Sequence, residues 1–87
     1  MTDESTFSDL ILSLAQTAYV QLGMIADPFS GKRIRDLNSA KKTISLLEAL
    51  KEKTRGNLTD EEIEMLEDAL YDLRTAFISQ KSKGSSL

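Results

Sequence analysis

Apolar residues recur at helical spacing in three blocks of the chain, and turn-forming residues separate the blocks. The first runs from about Thr6 to Leu22. At about 100° per residue, Leu10, Leu14, Phe7, Ala18, Ile11, Leu22, Ala15, Tyr19 and Leu12 fill an arc of roughly 200°. Ser5 or Thr6 can cap this helix, Asp9 places a negative charge in its first turn, and Gly23 can end it. A helix that packs on one side needs a stripe of only about 100° or slightly more. Packing one side leaves Leu12, Ala15 and Tyr19, or the opposite edge with Leu10 and Leu14, facing water, and the first of these is the candidate self-association surface.

The second block predicts a helix from about Leu37 to Arg55, capped by Asp36 or Asn38 and stopped by Gly56. Its apolar arc holds Leu37, Ala40, Ile44, Leu46, Leu47 and Leu50, with Lys41, Lys42, Glu48, Glu52 and Lys53 opposite. The third block opens on the clearest local signal in the chain. Thr59 at the N-cap and Glu62 three residues on form a capping box, and Leu58 with Ile63 forms the hydrophobic staple. Ile63, Leu66, Leu70, Leu73 and Phe77 then continue at alternating spacings of three and four to about Gln80. Tyr71 and Ile78 fall on the polar side of this helix, where they are incidental surface residues or a second contact surface. Only Gly56 to Leu58 separate the last two helices, so an antiparallel αα-hairpin is expected.

Residues 24 to 36 lie between the first two helices. Asp27-Pro28-Phe29-Ser30-Gly31 is turn chemistry, and Lys32, Arg33 and Arg35 follow, interleaved with Ile34. The stretch is expected to be extended, even strand-like, but no second strand is available to pair with it.

Charge bears on the pairing of helices. Residues 32–55 carry eight positive and three negative charges, net +5, and residues 56–78 carry one positive and seven negative, net -6. Adjacent helices of opposite sign attract, although exposed pairs contribute only a few tenths of a kcal/mol each. Part of this charge is expected to be spent between the two helices.

Composition removes many kinds of chemistry. The 87 residues contain no His, no Cys and no Trp, and the formal net charge is -3. Zinc sites on Cys or His, haem held by His or Cys, and thiol or Ser-His-Asp catalysis are excluded. Without cysteine there is no disulfide, and nothing requires an oxidising compartment. The 17 uncharged residues between Asp9 and Asp27 include Ser13, Gln16, Thr17 and Gln21, too short and too polar for a membrane span of about 20 apolar residues. An acidic start, Asp3 and Glu4, does not suit a secretory signal. No membrane association and a cytoplasmic location are the expectations.

Several motifs fail on inspection. Gly31-Lys32 is no phosphate loop, because Ala26 stands where its first Gly belongs and Arg33 replaces the Ser or Thr. The stretch from Asp27 to Asn38 is no calcium loop, since Phe29 and Gly31 occupy ligand positions. Asn57-Leu58-Thr59 fits a glycosylation triplet, but Thr59 is required as a cap. The acidic row Asp60, Glu61, Glu62, Glu64, Glu67, Asp68 and Asp72 has no His to complete a bundle dimetal site and reads as a solvated face. No metal, cofactor or catalytic residue is assigned. Lys32, Arg33 and Arg35 with Lys41 and Lys42 could instead contact nucleic-acid phosphates. Against that stand the acidic whole chain and a single nearby aromatic, Phe29.

A resemblance adds to this. Phe7-Ser8-Asp9 with Leu12-Ser13-Leu14-Ala15, Leu22-Gly23, Asp27-Pro28 with Gly31-Lys32, and Ile44 with Leu46-Leu47-Glu48 resemble a small bacterial family. So do Lys53-Thr54-Arg55-Gly56-Asn57-Leu58-Thr59, the most specific block, and Leu70-Tyr71-Asp72-Leu73-Arg74. The family is domain-of-unknown-function family eighteen-forty-four, and the likeness covers about residues 7 to 78. The resemblance implies a bacterial source and a stand-alone small protein. It carries no catalytic or binding residues onto this chain.

The expected architecture is all-α: one helical domain at 6–78 between a flexible N-terminus (1–5) and a flexible polar tail (79–87). The functional expectation is a non-enzymatic helical interaction protein, a homodimer with room for another protein partner as adaptor or accessory subunit. Nucleic-acid association through residues 32–42 is the alternative.

Overall fold

The structure is a computed structural model that describes residues 4–85, with side chains from 6 to 83. Among these residues the chain forms three helices and no strand, the all-α class expected. They are α1 (Glu4–Gln21), α2 (Leu37–Lys53) and α3 (Asp60–Ser85), and each packs against both others.

The helix starts follow local chemistry. Asp36, rather than Asn38, caps α2: its carboxylate accepts the Ser39 backbone N–H at 3.1 Å and the Ser39 hydroxyl at 2.7 Å. Those two bonds, the hydroxyl's first, hold the Asp36 carboxyl below its ordinary 3.8. At α3 the capping box is complete. The Thr59 N–H donates to Glu62 Oε1 at 2.9 Å, and the Glu62 N–H donates to Thr59 Oγ1 at 3.1 Å. The staple is looser, because Ile63 remains 38% exposed while Leu58 packs against the core. Gly56 has φ 87°, the left-handed conformation that lets the chain leave α2 and enter the turn.

The core is a column of Ile11, Ala18 and Leu22 from α1, Ala40, Ile44 and Leu47 from α2, and Leu66, Leu70 and Leu73 from α3. One position of the expected α2 arc is rearranged. Leu46 is 55% exposed, and Thr43 is buried instead. The Thr43 hydroxyl donates to Gln21 Oε1 at 2.6 Å, so a polar side chain is accommodated between α1 and α2 because its partner arrives with it. On the other flank of α2, Arg74 grips Glu48 through Nε and Nη2, and Lys51 Nζ lies 3.4 Å from Glu67. Each pair joins a residue of α2 to one of α3, and the later α2 residue meets the earlier α3 residue.

The helix α3 runs on to Ser85, beyond the expected end near Gln80. No proline interrupts this stretch. Arg35 Nη1 also donates to the Gln80 carbonyl at 3.0 Å, tying the extension to the α1–α2 connection. Of the termini expected to be flexible, residues 1–3 and 86–87 lie outside the described residues.

The connection itself is an irregular loop, not a strand, and its two ends meet. The Asp36 N–H donates to the Gln21 carbonyl at 2.7 Å, and Gly23, at φ 78°, passes close against the Arg35 backbone. Its tip is a closed turn built on Asp27. The Asp27 carboxylate accepts the N–H groups of Phe29 (2.7 Å) and Ser30 (3.1 Å). The Asp27 carbonyl accepts the Gly31 N–H at 2.7 Å, and the Asp27 N–H donates to the Lys32 carbonyl at 2.8 Å.

Candidate interaction surfaces

Single exposed apolar residues are ordinary on any surface, and only contiguous ones call for a partner. Leu12, Ala15 and Tyr19 meet that condition. At about 100° per residue they share one side of α1, adjoining the buried Ile11. Packing of α1 against α3 sets them beside Met65 and Ala69, forming a shallow groove of about 460 Å³. Leu12 is 52% exposed, whereas Ala15 and Tyr19 are half-buried against the core. The rim is uniformly acidic: Glu61, Glu64, Asp68 and Asp72 climb α3 along the groove at helical spacings of three and four. Burial pushes the Tyr19 phenol above its ordinary 10.0, and the nearby Asp72 carboxylate pushes it further in the same direction.

Tyr71 and Ile78 lie on the opposite edge of α3 and are less of a unit. Ile78 joins Phe77 and Ile44 at a dent of about 300 Å³ facing α2, beside the Arg74–Glu48 pair. Tyr71 stands outward, 70% exposed. The turn and cap residues Gly56, Leu58, Thr59, Glu62 and Ile63 are brought together by the α2–α3 connection.

Beside the groove, around the circumference of α1, lies a second apolar region. The Asp27 turn overhangs Ser13, Gln16, Thr17 and Val20, leaving an open hollow of about 630 Å³. The loop therefore does not seal α1. Ile25 is 44% exposed, Ile34 59% and Phe29 98%. Phe29 stands at the tip of a hydrogen-bonded turn. The sequence placed Phe29 in the Asp27–Gly31 turn and beside the basic segment, but assigned it to no contact surface.

Lys32 and Arg33 follow the tip, exposed and paired with no carboxylate among the described residues. Lys41 and Lys42 are likewise exposed on α2. Arg35 differs, its guanidinium being engaged with Gln80. Of the charge expected to be neutralised between the basic and acidic segments, the ion pairs among the described residues include only Lys51–Glu67 joining a base of the first to an acid of the second. The acidic rim lines the α1–α3 groove, and the unpaired bases lie on the α1–α2 connection and on α2. Among the described residues no three acidic side chains converge as metal ligands, and no helix is long and apolar enough to cross a membrane.

What these features define is a class of small three-helix chain with its acidic and basic residues on different elements and an incompletely covered first helix. The chain belongs to the family described as a domain of unknown function (DUF1844), whose family model matches residues 4–79. No curated protein and no solved structure matches it.

Proposed function

We propose that this is a non-enzymatic interaction protein, a self-associating helical module that serves in the cytoplasm as an adaptor or accessory subunit, with α2 and α3 as an antiparallel hairpin. The two α2–α3 ion pairs, in which the earlier α2 residue (Glu48) meets the later α3 residue (Arg74) and the later (Lys51) meets the earlier (Glu67), support the hairpin. The observation that carries self-association is the failure of the α1–α2 connection to cover its neighbour. Leu12 stays half exposed while Ile25, Phe29 and Ile34 project from the loop. Fully burying one such side chain contributes about 1.5–3 kcal/mol, so a few of them covered together supply much of a modest association energy. A two-fold dimer is the commonest closed arrangement that covers a repeated patch.

Light scattering coupled to size exclusion tests this directly. At micromolar concentration the expected mass is twice that of the 9.7 kDa chain. The substitution Leu12→Asp should return it to a single chain. A wild-type mass of one chain across the concentration range, with a cooperative melt, would remove the basis for self-association.

A further inference from the structure

The two exposed apolar features of the α1 region are chemically unlike, and their difference specifies how two copies meet. The groove between α1 and α3 has an apolar floor, Leu12, Ala15 and Tyr19 with Met65 and Ala69, and carboxylates along its edge. The Asp27 turn carries an aromatic tip, Phe29, and two unpaired cations, Lys32 and Arg33. A face-to-face dimer through two grooves would set the four carboxylates of one copy against the same four of the other, and like charges brought together across an interface oppose binding. The chain's own complement to the groove is the turn.

We propose that self-association proceeds by exchange: the Asp27 turn of each copy seats in the α1–α3 groove of the other. Phe29 covers the Leu12–Tyr19 floor, and Lys32 and Arg33 meet Glu61, Glu64, Asp68 and Asp72. This rests on the self-association proposed above and specifies its surfaces. Three observations support it. Phe29 is 98% exposed yet held by a turn in which Asp27 accepts from the N–H groups of Phe29, Ser30 and Gly31 and donates to the Lys32 carbonyl, so little order remains to be imposed on binding. Lys32 and Arg33 have no ion-pair partner within the described chain, and neither do the four rim carboxylates. The turn overhangs the outer arc of α1, whose Gln16 edge follows the groove's Leu12 edge around that helix, so the seat of a copy's own turn leaves its groove uncovered. Reciprocal exchange about a two-fold axis closes as a dimer and does not propagate.

Charge reversal provides the test, using the full chain and light scattering. Variant one carries Lys32→Glu and Arg33→Glu, and variant two carries Glu64→Lys and Asp68→Lys. All four positions are exposed, so the melts of both should remain cooperative. Variant one sets like charges together in both contacts. Variant two removes the net attraction from both and sets Lys against Lys32 and Arg33, and each alone should run as a single chain. Their equimolar mixture restores both contacts and should recover the dimer mass. Phe29→Ala should weaken the wild-type dimer by about thirtyfold, the scale of an aromatic hot spot. Raising salt should weaken the dimer as well, because the cation–carboxylate contacts are partly screened. If the wild type is dimeric but both variants and Phe29→Ala remain dimeric, or if the mixture of folded variants fails to pair, exchange is overturned and self-association stands on other surfaces. If the wild type is a single chain throughout, both readings fall together.

Discussion

Gly23 and Gly56 both adopt left-handed backbone conformations, φ 78° and 87°, but only one of them is crowded. A Cβ at Gly56 would meet nothing within 4 Å, whereas one at Gly23 would lie 3.2 Å from Arg35 Cβ and 3.4 Å from Arg35 Cα. Gly56→Ala should therefore reveal the backbone term alone. A left-handed alanine costs about 1–2 kcal/mol. The lower entropy of the unfolded alanine chain offsets about 0.4–1 kcal/mol of that, leaving a net loss near 0.5–1 kcal/mol. Gly23→Ala carries the same terms plus a clash that cannot be relieved by a side-chain rotation. The neighbour is main chain and Cβ, and the adjacent Asp36 N–H is bonded to Gln21. Overpacking of this kind adds about 1–3 kcal/mol. Asparagine tolerates positive φ, so Gly56→Asn should cost less than Gly56→Ala, while no such relief applies at Gly23. Urea denaturation followed by helical circular dichroism, at one protein concentration, measures all three variants. Gly23→Ala should be the less stable alanine variant by about 1 kcal/mol or more, a difference of at least about 4 °C in Tm. Equal losses at the two glycines would refute the close approach of Arg35, and no loss at Gly56 would refute its left-handed role.

Thr59→Ala removes one of the two reciprocal capping bonds and should cost about 1 kcal/mol, lowering Tm by about 4–8 °C in a thermal melt. The Asp36 carboxyl titrates lower in the folded chain than its ordinary 3.8. It therefore stabilises the fold above that value, and the contribution is lost as pH falls through the folded pKa. Melts between about pH 5 and pH 2 should fall less steeply for Asp36→Asn than for the wild type; parallel curves would contradict the Ser39 bonds. In a mobility-shift assay with mixed RNA and DNA we expect only weak, salt-sensitive binding. A tight complex lost on replacing Lys32, Arg33 and Arg35 by Ala would assign the basic segment to nucleic acid instead.

Much of the fold was legible because local signals act within a few residues. The Thr59–Glu62 box and the rhythm of Leu66, Leu70 and Leu73 identify the start and inner face of α3 without any knowledge of its neighbours. The cap of α2 was narrowed to two residues, and a hydrogen bond to Ser39 distinguishes Asp36 from Asn38. Where the reading missed, a distant partner was involved. Leu46 looks like a core residue and Thr43 does not, until Gln21 supplies the oxygen that satisfies a buried hydroxyl. The same limit applied to the surfaces. Leu12, Ala15 and Tyr19 were visible as an apolar edge, but their acidic border depends on the rotation of α1 against α3. No spacing within either helix encodes that rotation.

The meeting ends of the α1–α2 connection separate its length from the rest of the architecture. With Asp36 bonded to Gln21, the intervening residues form a loop that leaves and returns at one point, in the manner of an Ω-loop. Doubling such a loop adds only about 0.6 kcal/mol of closure entropy. The segment between Met24 and Ile34 is thus a natural cassette. Residues could be inserted, deleted or exchanged there with the helices kept in place, so recognition could diversify in this chain faster than its scaffold.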